Sequence, residues 1–371
     1  LNAKPYLLFL LLFVINTYAQ NTYVFLGSYN QNQVKEGIYV YQLDTVSGNL
    51  SKITSAKMGN PSYLTVTNHG FLYACTNTKT PNEGSVSAYK FDPKKKKLSF
   101  INKQNSEGEN PVYVSTDASG KWLANGNYTE AGVTLHPINP DGSIGATTQN
   151  FRYTEGSVDP KRQEKSHIHS TVFSPKGDYL FAPDLGADKI RIYSFHPESS
   201  EPLQSAPQSF IKTVAGSGPR HFTFHPNGKF AYCIEEMGGA VSAYTYSNGK
   251  LDNIQRIYSH PETLTEGFES SDIHISPDGK FLYATNRGKE NNIALFSVAE
   301  NGMLKHLGYQ PTLGNHPRIF AISPNGKFLI VANVNSNSVV VFKRDKATGL
   351  LTKAGNDTTV EHVSCVQIAE Y

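Results

Sequence analysis

Short runs in which apolar and polar residues alternate recur along most of the chain, in pairs joined at a glycine. HFTF leads through Pro226-Asn227-Gly228 into KFAYCI, and DIHI leads through Pro277-Asp278-Gly279 into KFLYAT. Alternation with a period of two predicts strands with one buried face, and a turn glycine free to take positive φ joins each pair as an antiparallel hairpin. A third run follows, AVSAYTY, NIALFSV or SVVVFKR, and a polar turn of the SNGKL, AENGML or KATGLL kind leads to a fourth. The predicted unit is a four-stranded meander.

The unit repeats. SPKGDYLF (Gly177), HPNGKFAY (Gly228), SPDGKFLY (Gly279) and SPNGKFLI (Gly326) align on the turn glycine, with weaker copies at TNHGFLY (Gly70) and DASGKWLA (Gly120), spaced 47 to 57 residues apart. A strand-only repeat of about 40 to 50 residues is the mark of a propeller blade. Six complete units run from about Asn60 to the 350s. TYVFLGSY, GIYVYQLD and TVSGNL at one end lack a first strand, and HVSCVQIAEY at the other lacks everything else. Together they predict an all-β, seven-bladed β-propeller whose ring closes by pairing N- and C-terminal strands within one blade, leaving no open edge.

Composition changes this picture little. Long amphipathic helical patterns are absent, and one ring accounts for residues 20–371 as a single domain. The run Lys94 to Lys97 falls at a hairpin tip and reads as a solvated turn. Cys75, Cys233 and Cys365 fall in strands of different blades, which argues for buried small side chains and against a disulfide framework. A net charge of +3, with no stretch interleaving aromatics and basic residues, points away from nucleic acid. The first residues differ in kind. KPYLLFLLLFVINTYAQ carries one positive charge, an apolar stretch and a small residue, Ala19. That pattern predicts a signal peptide over residues 1–19, cleavage near Ala19, and a periplasmic or secreted protein with no membrane insertion of the mature chain.

Candidate chemistry emerges from position within the blade. Eight residues before each turn glycine lie Ser62, Val112, His169, Arg220, Ser271 and Arg318; eight after it lie Tyr128, Leu185, Glu236, Arg287 and Val334. Both positions fall at one end of the central channel. His169, Arg220, Glu236, Arg287 and Arg318 therefore converge from consecutive blades, and three arginines around one carboxylate exceed what an ion pair needs. His167 and His169 share a strand face suited to zinc, but no third ligand stands at a suitable spacing, so no metal or other cofactor is expected. A serine nucleophile lacks the Gly-x-Ser-x-Gly elbow.

The motifs NPSYLTV, HIHSTVFSPKGDYLFAPDLGADKIRIY, GSGPRHFTFHPNGKFAYCIEE, SSDIHISPDGKFLYATNRG and HPRIFAISPNGKFLIVAN make the chain resemble the seven-bladed propeller lactonases. That family includes propeller-type 6-phosphogluconolactonases and carboxymuconate lactonizing enzymes. The resemblance implies catalytic roles for His169, Arg220, Glu236 and Arg287, with His221, Arg318, Glu235 and His167 as candidate substrate-binding groups. Glu236 is the expected general base, with His169 as alternative base or as proton donor to the leaving alkoxide. Arg220 and Arg287 are expected to hold the oxyanion and an anionic substituent. Where family members often read Asn-Glu-Leu, this chain has Glu235-Glu236-Met237, so the adjacent charge is expected to raise its neighbour's pKa. Loss of a channel-mouth carboxylate is expected to spare the fold. The implied activity is lactone hydrolysis by a monomer acting on a small, anionic sugar lactone. A lactonizing cyclase or isomerase, or a non-catalytic binding propeller, are the alternatives.

Overall fold

The computed structural model describes residues 21–30 and 35–371, and all regular structure within them is β. Twenty-eight strands form seven four-stranded antiparallel sheets, one per blade. In blade 1, Val363–Glu370 is the innermost strand, followed outward by Thr22–Ser28, Glu36–Leu43 and Leu50–Lys57. The C-terminal strand thus closes the ring as the hydrophobic pattern predicts, pairing Leu26 with Val366 and Val24 with Ile368. The inner strands of blades 2 to 7 are Pro61–Val66, Pro111–Thr116, Val172–Phe173, Pro219–Phe224, Ser270–Ile275 and Pro317–Ile322. Residues 1–19, where a signal peptide is expected, lie outside the described residues.

The core sits between blades. Middle strands such as Phe230–Glu235 and Phe328–Asn333 are buried along their whole length, because both faces of each sheet meet a neighbouring blade. The three cysteines are buried there. Aromatic rings at the start of one blade's second strand fill the space beneath the outer turn of the next. Gly302 is one such turn residue: its φ is +82°, and a Cβ there would meet the Phe230 ring at 2.3 Å. Neighbouring Tyr232 donates to the Gly302 carbonyl at 3.0 Å, a tie repeated by Tyr73 to Gly142 and Tyr283 to Gly349.

Nearly every inner strand carries a β-bulge at the same place. The register slips at Ser62, Val112, Arg220 and Arg318, between Ser270 and Ile273, and at Ser364 in the closing strand. A bulge turns a side chain out of the ladder and is favoured beside binding sites. In blades 5 and 7 the residues it takes out of the ladder are Arg220 and Arg318. Serines at this place use it to tie the ring, donating to the first residue of the next inner strand: Ser62 to Pro111 O, Ser271 to Pro317 O and Ser364 to Pro61 O, at 2.5 to 2.6 Å. Blade 4 departs from the expected pattern. Its inner strand is reduced to Val172–Phe173 and an isolated bridge between Ile168 and Asp184. His169 N still donates to Pro183 O at 2.9 Å, but Pro183 has no N–H to return the bond, and the ladder breaks beside His169.

Candidate active site

Arg220 and Glu236 belong to blade 5 and are set by its two channel-end connections. The loop entering the inner strand is anchored by Asp188, which accepts from Gly216 N at 2.7 Å and Gly218 N at 2.8 Å. The chain leaving the second strand is held against that same loop, with Glu236 N donating to Gly218 O at 2.8 Å. Arg287 occupies the matching place in blade 6. Its backbone N–H and its Nε both donate to Glu269 O, and Nη2 donates to Ser270 O.

These elements converge on the Glu236 carboxylate, which is 6% exposed. Oε2 accepts from Arg220 Nε at 2.8 Å and lies 3.1 Å from Arg287 Nη2; Oε1 accepts from Arg162 Nη2 at 2.6 Å. Burial opposes ionisation, but the charges of Arg287 and Arg220, with that of Arg162, hold this carboxyl well below the usual range. His169 Nε2 faces Glu236 Oε2 across 3.9 Å, and its Nδ1 is buried without a partner. Burial and the Arg220 charge push the His169 imidazole well below its ordinary value, so it is neutral near pH 7. Tyr128 borders it edge-on, with ring centroids 5.4 Å apart.

A buried anion held by three guanidiniums beside a neutral imidazole can bind an anionic or carbonyl oxygen and accept a proton. Residues 23–368 match the family model described as lactonase, 7-bladed beta-propeller. The chain belongs to this lactonase family. A 6-phosphogluconolactonase of Formosa agariphila is 40% identical over 354 residues, covering 94% of this chain and 99% of that protein. One from Bacillus subtilis is 35% identical over 348 residues, covering 92% and 97%. Among solved structures, the periplasmic gluconolactonase of Pseudomonas aeruginosa superposes with a TM-score of 0.88 at 35% identity, covering 94% of this chain and 98% of that one.

In this member of the lactonase family, four residues singled out by blade position, His169, Arg220, Glu236 and Arg287, meet at one point. The arginine count holds, but the membership differs. Arg318 makes no ion pair with Glu236; the third guanidinium is that of Arg162, from the long loop between blades 3 and 4. Arg318 is half-buried, 5.9 Å from the Tyr29 ring, with its Nε buried and unpartnered. Glu235 points the other way, as strand alternation dictates, and is fully buried against Arg256 Nε at 2.8 Å and Ser242 Oγ at 2.7 Å. It does not face the Glu236 cluster, and it does not raise Glu236: burial lifts its own pKa, while arginines lower that of Glu236. His167 is buried, stacks on Tyr128 at 4.3 Å and binds Tyr128 O through Nδ1.

His221 lies deeper than expected. It is 3% exposed and sits between Arg220 and Asp272, with the rings of Tyr113 and Tyr63 against it. Three nearby groups escaped the sequence reading. Arg162 comes from a segment with no counterpart in other blades, and its only signal was the basic stretch DPKRQEK. Tyr128 does stand at the aligned position after the turn glycine. His316, at φ 63°, precedes the inner strand of blade 7, and burial together with Arg287 and Arg318 lowers its pKa to about 4.

Proposed function

We propose that this channel mouth hydrolyses the ester bond of a sugar lactone. The observation that carries the reading is the buried Glu236 carboxylate, shared by three guanidiniums, beside a neutral His169. Water attacks the lactone carbonyl, a C–O bond forms, and the ring C–O bond breaks as the tetrahedral oxyanion collapses. A proton leaves the water and is returned to the ring alkoxide, giving the hydroxy acid.

Two groups compete for that proton. Glu236 is the base that family resemblance suggests, yet a carboxylate so strongly held by arginines is a weak base. His169 is favoured instead. Its Nε2 and Glu236 Oε2, 3.9 Å apart, can both hydrogen-bond one water. Burial and the positive field of Arg220 suppress the imidazolium, and the field is offset as negative charge develops on the carbonyl oxygen, so the imidazole gains basicity as the reaction needs it. Arg220 and Arg287 stabilise the oxyanion; one such donor typically contributes roughly 3 to 4 kcal/mol. Arg318, whose buried Nε has no hydrogen-bond partner among the described residues, suits an anionic substituent on the substrate.

Export is part of the same reading, and the periplasmic gluconolactonase relative supports it. Protein from the native host is expected to begin near Gln20, outside the cytoplasm; N-terminal sequencing that finds Leu7 to Leu12 retained contradicts this. An exported enzyme meets sugar lactones without phosphate. Acid release by the purified protein, measured over a panel of aldonolactones with and without phosphate, is the test. Hydrolysis well above the spontaneous rate supports the proposal, and no acceleration of any member refutes it.

A further inference from the structure

Beneath the site a buried hydrogen-bonded chain runs from Arg220 through the middle of the channel. Arg220 is fully buried, and its Nη1 donates both to Ser271 O and, at 3.2 Å, to His221 Nε2. His221 Nδ1 lies 2.7 Å from Asp272 Oδ1. Asp272, 1% exposed, also accepts from Ile273 N, Phe320 N and His274 Nε2, each at 3.0 Å. Four donors converge on this one carboxylate.

Only one tautomer of His221 satisfies both its neighbours. Arginine has no acceptor, so Nε2 must carry the lone pair and Nδ1 the proton. The Nδ1 proton is matched by Asp272, which has no proton to give. With the opposite tautomer, two N–H groups would confront each other at 3.2 Å and Arg220 would be turned off its line to Glu236. Resting on the lactonase reading of the site, we propose that Asp272 is a positioning residue that fixes the His221 tautomer and thereby aims the Arg220 guanidinium at the reacting carbonyl. Burial and Arg220 lower the pKa of His221 to about 3, which keeps the ring neutral and able to accept. Burial opposes the charge on Asp272, but His274 and His221 hold its carboxyl well below the usual range, so it stays an acceptor.

Asp272→Asn replaces an acceptor oxygen by an amide that can donate to His221 Nδ1 and so favours the wrong tautomer at nearly constant shape. The expected result is a fall in kcat of about 10- to 100-fold with little change in KM, the signature of a misaimed transition-state contact. His221→Gln supplies a side-chain oxygen near the place of Nε2 without any tautomer to fix. Whatever its own turnover, adding Asp272→Asn to it is expected to change kcat by less than about threefold. The imidazole nitrogen shifts of the wild type give a readout that does not depend on any variant folding: they should report His221 protonated on Nδ1. A proton on Nε2, an equal loss in both backgrounds, or a folded Asp272→Asn enzyme with wild-type kcat each overturns the proposal. Arg220→Ala separates the two readings. If it too leaves lactone turnover intact, the site itself is misassigned; if it abolishes turnover while Asp272→Asn does not, only the positioning role fails.

Discussion

Glu236 shows what a single residue at a channel mouth can carry. Sequence position alone treats it as a solvated group with little packing, whereas in the fold it is buried and its single negative charge is shared by Arg220, Arg287 and Arg162. Removing its charge leaves buried guanidiniums uncompensated, at a cost of about 3 to 5 kcal/mol for a broken buried pair. Glu236→Gln is therefore expected to lower stability by that order and lactone turnover by at least about 10²-fold. Glu235→Gln is its neighbour and contrast: it weakens a contact with Arg256 inside blade 5 and should leave kcat within about twofold. Denaturant melts and initial rates on both variants check this pair, and a catalytic loss confined to Glu235→Gln would mean that the register within Ile234 to Met237 is misread. His169, Arg220, Glu236 and Arg287 were legible because the repeat gives each a coordinate. Arg162 was not, since its loop belongs to no repeat, and the Asp272 to His221 contact joins two blades that sequence periodicity treats as separate.

At the scale of the strand, turn glycines and alternating runs were enough to assign every blade, including the one shared between the chain ends. The bulges were not visible as such. They surface in the sequence only as the fixed position where charged or small residues stand, and the ladder slip that turns those residues inward is a property of strand pairing. Blade 4 shows the limit: the apolar pattern of HSTVF reads as a strand, yet Pro183 withholds the donor that would continue the ladder past His169. The closing strand follows the pattern fully. Val363–Glu370 supplies Cys365 and Val366 to the core, while Ser364 reaches Pro61 of the next blade. Deleting residues from Glu361 onward is expected to reopen the ring, expose the inner edge of Thr22–Ser28 and lower the melting temperature by more than about 10 °C. An unchanged melt by circular dichroism contradicts the role given to this strand.

Across the whole molecule, buried histidines give the ring a definite response to acid. Burial lowers the pKa of His136, His260 and His316 to about 4 and that of His221 to about 3, and takes His169 well below its ordinary value. Between roughly pH 6.5 and 4 the unfolded chain binds protons at these histidines that the folded chain refuses, so stability rises with pH through that window and falls as pH drops. His274 opposes the trend. Burial lowers its pKa, but Asp272 more than offsets this and raises it, so its contribution is present at low pH and fades as pH rises. Glu290, which burial raises to about 7, and Glu235, which burial also raises, act in the same direction as His274; three such groups against five leave the sign unchanged, and below the ordinary carboxylate range the loss of charge on Glu236 and Asp272 adds to it. Melting temperatures measured from pH 7.5 to 4 should decline steadily, and a flat profile would mean that these imidazoles are not held neutral. In the proposed mechanism the same neutrality lets His169 accept the proton of the attacking water. The most direct measurement is therefore turnover of a sugar lactone by His169→Asn beside the wild type, with both proteins shown to be folded. The account predicts acid release well above the spontaneous rate for the wild type and a loss of about 10²- to 10⁴-fold in the variant. Equal rates for the two folded proteins would contradict it.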